Sequence, residues 1–273
     1  MPSTTSHDID DYEPLLVALQ NDLGVVVPDS QRSCLLERLE PLLASYSLDS
    51  LSALASSLQR KETDEIRSSV LEVISKGRSG WSLSPVLINV LHKYIFDELA
   101  DKARIWLVGC GEGQLAYTIA MEIADYESKT GQTKNFQLFA TDSSLSDIKH
   151  AESASYSSQQ VSRLNDGYKK LYTAPAGAAD NWVIKDKISQ RVQFSQCDLT
   201  EDFQSMGEMD LIICPDVLVY FSNGVKAGIL QQFSSLLKPG GILLTGYNQA
   251  VTPFTGSFER VEHPAGVFYR QKK

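Results

Sequence analysis

The stretch Arg104-Ile-Trp-Leu-Val-Gly-Cys-Gly-Glu-Gly-Gln114 decides the fold. Ile105 to Val108 are apolar without interruption, the pattern of a parallel strand buried on both faces. Leu115 to Ala124 read as the helix that follows. Between them, glycines at 109, 111 and 113 permit positive φ and let the backbone approach a ligand closely. A second apolar strand, Asn135 to Thr141, ends in Asp142, whose carboxylate suits the two hydroxyls of a ribose. Strand, glycine turn, helix, strand and acid together describe a nucleotide-type pocket at the carboxyl edge of a parallel sheet.

The glycines run Gly-x-Gly-x-Gly and not Gly-x-Gly-x-x-Gly, because Leu115 and Ala116 follow Gln114. The third glycine of the longer pattern lets a helix pack close beneath a pyrophosphate. Its absence favours S-adenosyl-L-methionine, which has no phosphate, over a dinucleotide.

Working outward, strand and helix alternate towards the C-terminus, the signature of a doubly wound α/β sheet. A helix runs from Asp142 to about Ser153. Tyr168–Tyr172, Trp182–Asp186 and Arg191–Ser195 read as short strands around the turn Ala174 to Ala179, part of a β-hairpin subdomain inserted at about 166–196. Met209 to Cys214 is the next core strand and Val225 to Leu237 a helix. Leu236 to Leu244 reads as helix end, turn and fifth strand, and Phe258–Glu262 with Gly266–Arg270 as a closing antiparallel pair.

Towards the N-terminus the periodicity is helical. Leu15, Leu16, Leu19 and Leu23 form one apolar stripe, and Leu35, Leu36, Leu39, Leu42 and Leu43 a second. Leu48, Leu51, Leu54 and Leu58 form a third, and Ile66, Val70, Val73 and Ile74 a fourth. Asp29 and Thr63 are suited to cap the second and fourth helices. Residues 1–10 read as a disordered tail, 11–83 as a small all-helical domain and 84–100 as a linker helix opened by Pro85. Residues 101–273 read as the cofactor-binding domain.

Composition narrows the function. The net charge of −9, with no Lys/Arg-rich stripe, argues against a nucleic-acid partner. Met1 to Asp11 lacks the apolar core of a signal peptide, and no apolar run approaches the ~20 residues that span a bilayer. A cytoplasmic protein without membrane insertion is expected. Cys34, Cys110, Cys197 and Cys214 are widely spaced, so no metal site and no disulfide framework is indicated. His92 and His150 fall in helices with no acid at a useful spacing and read as packed or solvated. Trp106 reads as packing, whereas Trp182 suits either packing or a binding edge. Tyr220 and Phe221 read as core at a strand–helix junction, where Tyr220 could also flank the cofactor.

These features resemble the CheR family, chemotaxis-receptor methyltransferases that esterify receptor glutamates using S-adenosyl-L-methionine. The resemblance rests on Leu23-Gly-Val-Val-Val-Pro28, Gly109-Cys110, Ala140-Thr-Asp142, Asp210-Leu-Ile-Ile-Cys214, Val217-Leu-Val-Tyr-Phe221 and Leu237-Lys-Pro-Gly-Gly241. It implies a class I methyltransferase with S-adenosyl-L-homocysteine as product and a protein substrate, a chemoreceptor cytoplasmic region. It also implies cofactor contacts by Gly109, Cys110, Gly111, Gly113 and Gln114, by Asp142 at the ribose, by Asp198 and Leu199 beside the adenine, and by Pro215 and Asp216 at the reacting centre.

The chain departs from the family pattern before the linker helix. Ser75-Lys-Gly-Arg-Ser-Gly-Trp-Ser82 stands where the family has Thr-x-Asn-x-Thr-x-Phe-Phe-Arg, and Arg78 lies four residues before the family arginine. Arg78 and Asp216 are the candidate catalytic residues. The second helix keeps only Arg32 and Arg38 of the family's arginine-dense face, beside Glu37 and Glu40, and Pro41 interrupts it. A catalytically diverged scaffold that senses a nucleoside-type ligand is therefore a second reading. A small-molecule methyltransferase is a weaker third, since it leaves the helical domain and the insertion without a role.

Overall fold

The computed structural model describes residues 12–27, 32–60, 64–75, 80–177, 180–246 and 249–272. Contacts divide the chain into two units, Met1–Lys76 with Val219–Lys226, and Gly77–Leu218 with Ala227–Lys273.

The first unit is built from α1 (Glu13–Leu23), α2 (Arg32–Ser45), α3 (Leu51–Arg60) and α4 (Asp64–Ser75). Leu15, Leu19, Leu23, Leu39, Leu54 and Val70 are buried in one apolar cluster, as the four stripes require. The helix α2 runs unbroken through Pro41, and the Ser45 hydroxyl donates to the Pro41 carbonyl at 3.1 Å. Asp29 and Thr63, the expected caps, lie outside the described residues. The α1 helix ends at Gly24, with φ 65°, where a Cβ would meet Val225 Cγ2 at 2.5 Å. Val25 pairs with Phe221, and the Val26 N–H donates to the Tyr220 carbonyl at 2.7 Å. Residues 219–226 therefore pack with the helices of this first unit. Tyr220 packs on the helical cluster, as its reading as core expects.

The second unit opens with the linker, α5 (Pro85–Val90), a π-helical turn (Leu91–Ile95) and α6 (Phe96–Glu98). The chain then runs β1 (Arg104–Val108), α7 (Gln114–Thr130), β2 (Gln137–Asp142), α8 (Leu145–Ser153), β3 (Ser155–Ser157), α9 (Ser158–Val161) and α10 (Asp166–Tyr172). It continues through β4 (Thr173–Pro175), β5 (Asn181–Ile184), α11 (Asp186–Ser189), β6 (Val192–Gln196), β7 (Met209–Cys214), α12 (Asn223–Leu236), β8 (Leu237–Thr245), β9 (Phe258–His263) and β10 (Gly266–Gln271).

Seven strands form one sheet in the order β6-β2-β1-β7-β8-β10-β9. The first five are parallel, and β10 returns antiparallel between β8 and β9. Its centre is dry: Trp106, Leu107, Leu211, Ile212 and Ile213 are fully buried, which is why β1 and β7 read as continuous apolar runs. The Trp106 ring meets Phe203 and Phe233 edge-on, each at 5.4 Å, so packing is its role.

The insertion differs from expectation. Tyr168–Tyr172 is not a strand but lies in α10, because the Asn165 side chain caps the N–H groups of Gly167 and Tyr168. Tyr168 and Tyr172, four residues apart, then face the same side with rings 5.7 Å apart. The inserted sheet has three strands, β3-β5-β4, and begins at Ser155. The strand expected at Arg191–Ser195 belongs to the main sheet as its edge β6, not to a hairpin.

Candidate active site

The site is assembled at the carboxyl edge by loops leaving β1, β2, β6 and β7. The turn after β1 is held by β2: the N–H groups of Gly109 and Cys110 both donate to the Thr141 carbonyl, at 2.8 and 2.9 Å. The Thr141 hydroxyl in turn accepts from Trp106 Nε1 at 2.9 Å. Gly109, Gly111 and Gly113 have φ of 71°, 52° and 90°, the left-handed region that glycine reaches without strain. A Cβ on Gly109 would lie 2.5 Å from Val217 Cγ2, so this glycine brings the exits of β1 and β7 together.

Asp142 closes β2 and is buried. Its Oδ2 accepts from the Gly111 N–H at 2.9 Å and its Oδ1 from the Ser144 N–H at 3.1 Å. The carboxylate thus spans two loops and keeps further lone pairs for hydroxyl donors. Ser144 also caps α8 by accepting from the Asp147 N–H. One residue beyond β6, the Cys197 N–H donates to the Asp142 carbonyl at 2.9 Å, which carries Asp198 and Leu199 to the same edge. Asp198 Oδ1 accepts from both the N–H and the hydroxyl of Thr200 at 2.8 Å, and Leu199 is buried.

At the end of β7, Asp216 is exposed with φ 55°, and Pro215 precedes it. A Cβ on Gly246 would collide with Asp216 Oδ1, so glycine after β8 makes room for this carboxylate. Cys110 is buried, and burial followed by the Asp142 charge pushes its thiol well above the usual range. It is packing, not a nucleophile. Burial likewise pushes the Cys197 thiol up to about 11.

Gln114 is only 3% exposed, and its Oε1 has no hydrogen-bond partner. Its Nε2 donates to Glu112 Oε2 at 3.0 Å, which also accepts from Gln160 Nε2 at 3.1 Å. An orphaned amide oxygen beside a glycine cradle and a buried carboxylate fits a ligand that brings donors of its own. S-adenosylmethionine is such a ligand, with an ammonium, ribose hydroxyls and no phosphate.

Sequence reasoning missed the support beneath the turn. The Tyr156 hydroxyl donates to the Glu112 carbonyl at 2.6 Å, and a Cβ on Gly113 would lie 2.6 Å from Ala151 Cβ and 3.1 Å from that hydroxyl. Trp81 is buried, donates from Nε1 to the Gln160 carbonyl at 2.8 Å and stacks edge-on with Tyr156. Arg78 lies outside the described residues. The reading of His92 as lacking an acidic partner is overturned: its Nε2 lies 2.6 Å from Glu122 Oε2, on the neighbouring helix α7.

The strand order, with a glycine turn after β1 and an acid closing β2, defines a class I methyltransferase dependent on S-adenosylmethionine. Residues 81–267 match the CheR methyltransferase, SAM binding domain, family, and the chain belongs to it. It is 30% identical over 267 residues to the chemotaxis protein methyltransferase of Vibrio anguillarum, covering 96% of this chain and 97% of that one. It is 28% identical over 270 residues to chemotaxis protein methyltransferase Cher2 of Pseudomonas putida, covering 96% and 98%. Among solved structures, a TehB-like SAM-dependent methyltransferase from Corynebacterium glutamicum aligns over 77% of this chain and 97% of its own, with 12% identity and a TM-score of 0.41. That likeness is loose, and the fold is assigned from the strand order itself. Among the described residues no helix is long and apolar enough to cross a membrane.

Proposed function

We propose that this methyltransferase esterifies glutamate side chains on the cytoplasmic region of a chemoreceptor-like protein. The observation that carries the reading is the Asp142 clamp. A buried carboxylate joins the glycine turn to the start of α8 and keeps lone pairs that suit ribose hydroxyls, in a chain whose relatives are named chemotaxis protein methyltransferases.

In this reading Gly109, Gly111 and Gly113 supply space by keeping side chains out of the turn and Cys110 turns its side chain into the core, since the N–H groups of Gly109, Cys110 and Gly111 are already committed within the protein. Asp142 accepts from the ribose hydroxyls. Gln114 Oε1 accepts from the methionine ammonium, and Asp198 with buried Leu199 borders the adenine. Pro215 and Asp216 line the reacting centre. An anionic Asp216 is matched to the cationic groups of the cofactor, not to an acceptor carboxylate, which it would repel. Arg78, the cation nearest in sequence to the family arginine, is assigned to the acceptor carboxylate.

When bound, the cofactor supplies an electrophilic methyl on a sulfonium. With the cofactor held there, the acceptor carboxylate oxygen would form the new C–O bond as the C–S bond broke, the electron pair passing to sulfur. A glutamate is ionised at neutral pH, so no general base is needed. The protein's contribution is alignment and exclusion of water, effects of about 7–11 kcal/mol where geometry is well held. The test is calorimetric titration with S-adenosylmethionine and S-adenosylhomocysteine, followed by transfer of labelled methyl to a receptor cytoplasmic fragment and to its Glu→Gln counterpart. Label in the first and not in the second supports the reading. Tight cofactor binding with no label in any receptor fragment would refute it and leave the scaffold reading.

A further inference from the structure

On α7, about halfway down from the glycine turn, a second cluster of ligating groups faces the linker. A ring nitrogen of His92, a carboxylate oxygen of Glu122 and one of Asp125 all lie within 4.8 Å of one another. Glu122 and Asp125 are three residues apart and share one face of α7, while His92 comes from the π-helical turn Leu91–Ile95. All three line a cavity of about 620 Å3 that also meets Tyr168. We propose that His92, Glu122 and Asp125 form a binding site for a divalent first-row cation of zinc type, with solvent in the cavity completing the coordination.

Four observations converge. Glu122 is 6% exposed, a position where a carboxylate demands compensation by a positive charge. The cluster already attracts one, since Lys129 Nζ lies 2.6 Å from Asp125 Oδ2 with its side chain 69% exposed, so the ammonium can leave for water at little cost. A π turn within a helix is uncommon and recurs at functional sites, and this one carries the imidazole. The Tyr168 hydroxyl hydrogen-bonds to Glu122 and lines the same cavity, an outer partner placed to orient that ligand.

The ligand set selects the ion. Three protein ligands of N and O type with an open position match the coordination of a catalytic zinc site, and the imidazole favours a first-row transition ion, whereas calcium and magnesium ask for six or more oxygens. Tetrahedral bonds of about 2.0–2.2 Å put ligand atoms roughly 3.4 Å apart. His92 Nε2 and Glu122 Oε2, now 2.6 Å apart, would open by roughly 0.8 Å to admit the ion. The metal would take the Nε2 lone pair, so the imidazole binds it in its neutral form. With Lys129 displaced, two carboxylates and one divalent ion sum to zero charge. The cation would clamp α7, whose N-terminus carries the glycine turn, to the linker.

The test uses the tag-free full chain after chelation. Co2+ is added while the visible absorption of low-symmetry cobalt is followed, then Zn2+ is added in competition. The expected result is one Co2+ per chain with intense visible bands, displacement by Zn2+ and a raised Tm. Affinity should fall about tenfold or more in His92→Gln and in Asp125→Asn, and stay unchanged in the His150→Gln control. Lys129→Gln should bind more tightly, because the competing ammonium is gone. A spectrum that remains that of hydrated Co2+, or binding unaltered in His92→Gln and Asp125→Asn, would overturn the site. A Lys129→Gln variant no tighter than the parent would overturn the role of Lys129.

Discussion

Replacing Gly113 with alanine puts a methyl group where the protein has no room for it. The backbone there has φ 90°, which a residue with a Cβ adopts only under strain of about 1–3 kcal/mol. The added Cβ would lie 2.6 Å from Ala151 Cβ and 3.1 Å from its Cα, atoms of α8 that cannot rotate aside. Overpacking of this kind adds about 1–3 kcal/mol. The sum, about 2–6 kcal/mol, corresponds to a fall of about 4–24 °C in Tm for a unit of this size. Gly131→Ala is the control. Gly131 has φ 71° at the end of α7 with nothing within 4 Å of a built Cβ, so strain acts alone, at about 1–2 kcal/mol. Differential scanning calorimetry on both variants isolates the collision with α8. If Gly113→Ala melts no lower than Gly131→Ala, the argument that Gly113 exists to seat the turn against α8 is wrong.

Asp142→Asn keeps one acceptor for the Gly111 or Ser144 N–H but loses the charge. Cofactor affinity should fall about 10- to 150-fold, the worth of one charge-assisted bond, and calorimetric titration showing parental affinity would remove Asp142 from the ribose. Arg270 binds Glu98 through both guanidinium nitrogens, at 2.7 and 2.9 Å, and this pairing holds the Glu98 carboxyl below the usual carboxylate range. A depressed folded-state pKa gives stability that is present above about pH 4.3 and lost as pH falls through the folded value. Glu98→Gln should therefore lower Tm at pH 7 modestly and flatten the acid limb of a Tm–pH profile. An acid limb as steep as the parent's would show that the pair contributes nothing.

Much of the sheet was legible because burial on both faces leaves little choice of residue. Ile105 to Val108 and Met209 to Cys214 could not sit at a surface, and their unbroken apolar runs say so. The glycine turn and Asp142 were legible as a pair because each is demanded by backbone geometry or by chemistry at a strand end. The insertion was misread where two tyrosines favoured a strand locally, while the deciding group was Asn165, a cap one residue ahead of the helix. Contacts across elements were invisible for a different reason. Helical spacing reveals partners three or four residues away, but His92 meets Glu122 across thirty positions, and Tyr156 reaches the Glu112 carbonyl across forty-four. Only the docking of α7 against the linker and of β3 against the turn creates those pairs.

The strand order also makes the pocket a gauge of the folded state. Gly109, Asp142, Asp198 and Asp216 lie at or just beyond the ends of four separate strands, and an unfolded chain does not hold them together. A ligand that needs all four binds only after the long-range parallel pairings of β6, β2, β1 and β7 have closed. Saturation at a hundred times the dissociation constant then adds about 2.7 kcal/mol to the resistance of the whole unit to unfolding. In a cell the supply of methyl donor would thus influence how much of this protein survives, as well as how fast it works.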